Sequence, residues 1–169
     1  MSRNTWLFLG LLIGGCSGPD INQDYDPKQD FSRLKTWAWA PTPPQADGAG
    51  DPLAVSTLTQ ERIHRSVERE LELKGFEQAD PAGADFWVQH YAVIEQTLRV
   101  EPGYDWGHDD VSSYERGTII VDVVTPNDKR LVWRGTATDA VDPDLTPGER
   151  EERIQEAVHE ILAQFPPKK

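Results

Sequence analysis

The sequence contains little sulfur and too few positive charges to balance its negative ones. One of its 169 residues is cysteine, Cys16, and one is methionine. A single cysteine excludes an intrachain disulfide, and once that thiol is blocked the chain has none for a metal site or for catalysis. Lysine and arginine total 17 against 29 acidic residues, a formal charge of −12. This charge argues against nucleic acid as a partner and against electrostatic docking on an anionic membrane.

Familiar catalytic and cofactor motifs are missing as well. The sequence has no Gly-x-Ser-x-Gly elbow, no glycine-rich phosphate loop and no paired-histidine zinc helix. Paired carboxylates are numerous, but a strongly acidic surface produces them by chance. We therefore expect a protein that is not an enzyme and that binds no cofactor.

A short apolar run occupies residues 6–13, just after Arg3. It is much shorter than the about 20 residues that a membrane-spanning helix needs. A positive start, a short apolar middle and small residues before a cut site are typical of an export signal. The sequence therefore predicts a signal peptide over residues 1–15, cleaved between Gly15 and Cys16.

The residues before the cysteine resemble the lipobox of bacterial lipoproteins, with Ile13 where Leu is commonest. The resemblance implies a diacylglyceryl thioether on Cys16 and a further acyl chain, such as palmitate, on its amino group. Two or more chains anchor a protein stably, whereas one does so marginally. Ser17 after the cysteine resembles the sorting signal of outer-membrane lipoproteins. We therefore expect the protein to be located at the periplasmic face of the outer membrane. The alternative is an ordinary secretory signal followed by an accidental cysteine.

Periodicity predicts the fold of the remaining chain. Residues 16–20 form a tether of at most about 15 Å, and residues 21–169 form one domain with a Pro- and Gly-rich mobile loop at 41–52. Apolar stripes predict helices over 53–74 and from Thr146 onward, and alternation predicts the strands. The expected fold is α+β: an antiparallel sheet of four to five strands with two amphipathic helices on one face, in the order β-β-α-β-β-β-α.

Several runs of sequence resemble a family of Gram-negative lipoproteins, of the domain-of-unknown-function 4136 type. The resemblance covers nearly the whole mature chain. It implies an envelope lipoprotein, and the family supplies no catalytic residues to transfer. The matching runs are Asp24–Pro27, Asp30–Ser32, Lys35–Pro41, Lys74–Phe76, Gly117–Asp122 and Leu131–Ala137.

Aromatic residues on the predicted strands are one candidate binding surface. Aromatic rings on a sheet stack on sugars or peptides, although they are more often core residues. Alternation along the third strand places two of them, Trp87 and Tyr91, on the face away from the helices. The full set is Trp37, Trp39, Trp87, Tyr91 and Trp133.

Other candidates involve acidic residues and histidine. Asp105, His108, Asp109 and Asp110 share one loop and would suit Ca²⁺, Zn²⁺ or Mn²⁺ if the backbone turned them inward. Their spacing matches no known metal loop, so a solvated hairpin tip is the preferred interpretation and no metal ligand is assigned. His90 lies on an apolar strand face and is interpreted as a hydrogen-bonded core histidine.

The leading hypothesis is a lipid-anchored periplasmic module, not an enzyme, that binds or assists envelope proteins or lipids. Two alternatives stay open. One is a metal-dependent protein or enzyme that uses the loop at 105–110, and the other is a structural protein that self-associates through a sheet edge. The sequence identifies neither the partner nor the oligomeric state.

Overall fold

A computed structural model describes residues 18–41, 56–101 and 110–168, with the backbone alone for 99–101 and 110–112. It confirms the α+β class, whereas the loop expected at 41–52 lies outside the described residues apart from Pro41. The elements are β1 (Asp20–Tyr25), a 3-10 turn (Phe31–Arg33), β2 (Thr36–Trp39), α1 (Thr57–Leu73), β3 (Glu77–Gln78), β4 (Phe86–Glu101), β5 (Asp110–Val124), β6 (Leu131–Ala140) and α2 (Pro147–Ala163).

The described strands form one six-stranded sheet in the order β1-β6-β5-β4-β2-β3. Strands β1, β6, β5 and β4 pair antiparallel, but β2 runs parallel to both β3 and β4. The prediction of a purely antiparallel sheet of four to five strands is therefore wrong. Helix α1 explains the difference, because a helix packed on a sheet returns the chain to the end where the previous strand began. The additional strand β3 has two residues, too few to show alternation.

Both helices pack on the same face of the sheet, as predicted. Alternate side chains of the strands meet the apolar stripes of α1 and α2 there. The stripe expected from the sequence of α1 also includes Leu58, but this expectation is wrong, because Leu58 is 60% exposed in the first turn of the helix. The helix residues in the shared core are Ile63, Val67, Leu71, Ile154, Ala157, Val158, Ile161 and Leu162.

The helix ends follow the signals in the sequence. Thr146 and Glu149 form a capping box at the start of α2, with Pro147 as the first helical residue. Helix α1 ends at Leu73 with Lys74 as its cap, and Gly75 follows with a left-handed φ of 82°. The next amide, that of Phe76, donates to the Leu71 carbonyl at 3.0 Å. This Schellman ending turns the Phe76 side chain back onto the core.

A large indole occupies the centre of the core. Trp133 is fully buried, and its Nε1 donates to Gln23 Oε1 at 3.1 Å. Its ring lies over Gly135, where a Cβ would stand 2.4 Å from the ring and 2.6 Å from Ile161. The absence of a side chain at Gly135 therefore makes room for the indole.

The β4–β5 hairpin extends past the rest of the described sheet. The β2–β4 pairing ends at Val88 and the β5–β6 pairing at Arg116, while β4 and β5 continue to Glu101 and Asp110. Strand β1 begins at this same end, because Asp20 pairs with β6 two residues before β6 ends. No helix in the described part of the chain is long and apolar enough to cross a membrane.

Candidate functional site

Two sequence-predicted sites lie wholly or mainly outside the described residues. The cleavage point at Gly15 and the lipidation site Cys16 precede the first described residue, Gly18. The loop Asp105–Asp110 falls in a gap apart from Asp110, whose backbone begins β5. Within the described ranges, no three His, Cys, Asp or Glu side chains are grouped to hold a metal ion.

The proposed aromatic surface does not form as one groove. Trp37 is 2% exposed and Trp133 is 0% exposed, both in the core beneath the helices. Trp39 lies on the same face and packs at the edge of that core. The prediction is therefore wrong for these three residues, because they alternate onto the helix-covered face. Trp87 and Tyr91 lie on the opposite side, which no described helix covers and which we call the helix-free face. Tyr91 is only 8% exposed, so the prediction of a binding surface stays open for the half-buried Trp87 alone.

The helix-free face carries a charged pair that the sequence did not reveal. Asp122 lies between Gln89 on β4 and Arg134 on β6, each directly opposite it in the register. Arg134 Nε and Nη2 donate to the two carboxylate oxygens of Asp122, each at 2.7 Å. Gln89 Nε2 donates to one of these oxygens at 3.3 Å. The carboxylate is thus fixed by two strands.

Burial differs strongly between the two partners of this pair. The Asp122 side chain is 2% exposed and that of Arg134 is 44% exposed. The hydrogen bonds to Asp122 raise the pKa of the Arg134 guanidinium. Burial, followed by the charge of Asp122, raises the pKa of Tyr91 to about 12. A phenol and a half-exposed guanidinium are therefore held beside a buried carboxylate.

A second cluster lies between α1 and the sheet on the other face. His64 stacks on Trp39 with ring centroids 4.0 Å apart, and His90 meets Trp39 edge-on at 5.4 Å. Glu68 Oε1 accepts from Trp39 Nε1 at 3.0 Å and lies 3.3 Å from His64 Nε2. A tryptophan and a histidine thus share one carboxylate oxygen.

His90 differs from its prediction. It lies among core residues, but its buried Nδ1 has no hydrogen-bond partner in the described structure. Burial, with a smaller contribution from His64, lowers the pKa of His90 to about 4. Its imidazole therefore stays neutral near pH 7 and is a poor general acid. The strand pattern indicated an inward position, but no sequence signal indicated the missing partner.

A cavity of about 170 Å³ opens at the end of the sheet where β1 begins. Small side chains leave this space, since Ala92, Ala137 and Ala157 occupy inward positions of β4, β6 and α2. Its apolar wall is completed by Ile94, Ile119 and Ile154. Alanines at inward positions are the sequence signal that could have located it. Pro19, just before β1, also lines the cavity.

A mixed sheet with two helices on one face defines an α+β domain. The chain belongs to the family described as Domain of unknown function (DUF4136), whose model matches residues 21–167. No curated protein matches the chain significantly.

Solved structures from three bacteria share the fold. A DUF4136 family protein from Bacteroides thetaiotaomicron is 19% identical with a TM-score of 0.53, the match covering 88% of this chain and 96% of that one. A PDZ domain protein from Parabacteroides distasonis is 15% identical with a TM-score of 0.58, over 88% of this chain but 36% of that one. The PelC dodecamer from Paraburkholderia phytofirmans is 10% identical with a TM-score of 0.51, covering 89% and 99% of the two chains.

Proposed function

We propose that this protein is a lipid-anchored lipoprotein at the periplasmic face of the outer membrane. It acts there as a binding module, not as an enzyme, and it contacts an envelope protein through its helix-free face. The export pattern that ends at Cys16 supports the anchor. The observation that carries the binding role is the Asp122–Arg134 pair, because it lies outside the helix-packed core.

The energetics of this pair favour recognition over simple stability. Burying a carboxylate is expensive, and its ion pair often does no more than offset that cost. Here the carboxylate of Asp122 is buried while the guanidinium of Arg134 reaches solvent. The pair therefore holds an arginine in one orientation at the surface. The half-buried Trp87 lies near it on β4, and Arg and Trp are among the residues enriched at binding hot spots.

The charge of the chain indicates the kind of partner. A formal charge of −12 disfavours nucleic acid and anionic lipid headgroups. It favours a protein with a cationic surface, because complementary charge speeds association and suppresses wrong partners.

The anchor is tested in cells. Labelled palmitate should appear on the wild type but not on the Cys16→Ser variant, and only the wild type should stay on washed membrane vesicles. Wild-type protein that carries no label would contradict the anchor.

The binding face is tested by photo-crosslinking in intact cells. A photoreactive residue at Asn22, exposed on the helix-free side of β1, should give a discrete adduct, whereas the same residue at Glu152 on α2 should not. Arg134→Ala should reduce the Asn22 adduct about tenfold or more, as expected for loss of a hot-spot arginine. Equal adducts at both positions, unaffected by Arg134→Ala, would contradict this face.

Self-association is a second candidate, favoured by the edge of the sheet. Strand β1 pairs with β6 alone in the described sheet, so its other edge is open to a further strand. The PelC dodecamer shows that a related fold assembles from many copies. Sedimentation of the acyl-free domain as a monomer at high concentration would contradict this candidate.

A further inference from the structure

The cavity at the start of β1 is close to the predicted lipidation site. Pro19 lines the cavity, and Cys16 precedes Pro19 by three residues. Three residues span at most about 10 Å. A group on the Cys16 sulfur is therefore within reach of the cavity.

The size and lining of the cavity match hydrocarbon. An apolar protein cavity of about 150 Å³ holds one benzene molecule, so the cavity of about 170 Å³ has room for roughly six carbons. Its inner wall is made of alanine and isoleucine side chains, and its rim carries the Asp139–Arg153 pair at 3.4 Å. An apolar pocket with a charged rim suits one end of an acyl chain.

The expected binding affinity favours an acyl chain tethered through Cys16 over a free lipid. Each buried methylene favours binding about fourfold, so six favour it on the order of 10³-fold. A free chain of that length would bind no more tightly than about millimolar. A short tether supplies an effective concentration in the millimolar range without added ligand.

We propose that one acyl chain carried by Cys16 inserts its end into the cavity lined by Ala92, Ala137 and Ala157. This inference rests on the proposed lipidation of Cys16. The inserted chain is shielded from water whenever the protein is away from a bilayer. The cavity and the bilayer then compete for the same chain.

The test uses the fact that Cys16 is the only cysteine in the chain. Residues 16–169 contain the whole described core, and the one sulfur of Cys16 can be converted to a mixed disulfide by octyl or methyl methanethiosulfonate, which releases methanesulfinate. The octyl adduct should shift the methyl resonances of Ile94, Ile119 and Ile154 and raise the Tm by about 1–2 °C over the methyl adduct. Identical spectra and Tm values for the two adducts would overturn the inference.

Variants that fill the cavity provide the matched comparison. Ala157→Leu should abolish the difference between octyl and methyl adducts, whereas Ala163→Leu, at an exposed position of the same helix, should retain it. If Ala157→Leu does not fold, Ala137→Val from the strand side takes its place. An octyl effect that survives in the folded cavity-filled variant would overturn the inference.

Two further experiments distinguish an acyl chain attached to Cys16 from a free fatty acid. With Cys16→Ser, free octanoate at 0.1 mM should leave the isoleucine resonances unchanged, given the roughly millimolar limit above. Saturating shifts at that concentration would assign the cavity to free fatty acid instead and overturn the proposal. Palmitate labelling in cells tests lipidation by itself, so its failure and a failure of the alkylated domain are distinguishable.

Discussion

The two faces of the sheet bury their side chains in different ways. On the helix-covered face, Trp133 is enclosed by apolar groups and a glycine is required beneath it. On the helix-free face, Asp122 is equally buried, but an arginine and a glutamine satisfy its oxygens. Stability is therefore expected to come mainly from the first face. The second face is expected to hold Arg134 in a fixed orientation for binding. Four predictions test this division between the two faces.

The largest difference is expected between two tryptophans. Trp133→Ala should lower the free energy of unfolding by about 3–5 kcal/mol, because it opens a large cavity in the core. Trp87→Ala should cost only about 1–2 kcal/mol, since its indole is half-buried and donates one hydrogen bond to the Pro81 carbonyl. Urea unfolding measures both, and equal losses would place Trp87 in the core as well.

Acid should weaken the helix-covered face through His90. Because its pKa falls from 6.5 to about 4 on folding, the unfolded chain takes up the proton first as the pH drops. Stability is then full above pH 6.5 and decreases as the pH falls toward 4, by up to about 3 kcal/mol. The groups facing His90 are Trp39 on β2 and, on α1, His64 with its partner Glu68.

Unfolding at pH 7 and pH 4.5 measures this effect. The loss on acidification should be smaller in His90→Leu than in the wild type. It should persist in His159→Gln, which changes an exposed histidine on α2. If His90→Leu loses as much stability on acidification as the wild type does, other groups cause the acid sensitivity.

The contact beneath Trp133 is tested by adding a single methyl group. Gly135→Ala should cost about 1–3 kcal/mol, because both the indole and Ile161 must move to admit a Cβ. Gly148→Ala in α2 is the control, since no atom lies within 4 Å of its added Cβ. Chemical denaturation should find that control neutral or slightly stabilised.

The smallest effect is expected for the charged pair. Asp122→Asn should cost about 1–2 kcal/mol, less than a fully buried pair would, because solvent screens the half-exposed Arg134. The same substitution should reduce photo-crosslinking from Asn22, but by no more than Arg134→Ala does, since Arg134 loses only its fixed orientation. A large stability loss with full crosslinking would reverse the roles of the two faces.

Local signals explain which parts of the fold were predictable. The capping box of α2 and the left-handed Gly75 depend on neighbouring residues, so the sequence indicates them directly. The parallel direction of β2 depends on how α1 returns the chain, which alternation within a strand does not encode. Leu58 lies five residues before Ile63, about 140° around the helix from it, so its side chain points away from the buried stripe of α1.

The candidate site was less predictable for a similar reason. Alternation placed Asp122 on the correct face, yet its burial depends on Gln89 and Arg134, which come from other strands. The missing partner of His90 Nδ1 likewise depends on the contacts made by α1. Contacts between residues that are distant in the sequence can be predicted only when the strand register of the whole sheet is known.

The pairing of β1 with β6 also affects the order of folding. Residues 20–25 find their partners at 133–138, so the first strand to be synthesised waits for more than a hundred later residues. If the chain emerges N-terminus first, β1 therefore stays unpaired until β6 follows it. The open edge of β6 in the described sheet is then closed last, by the strand that was made first.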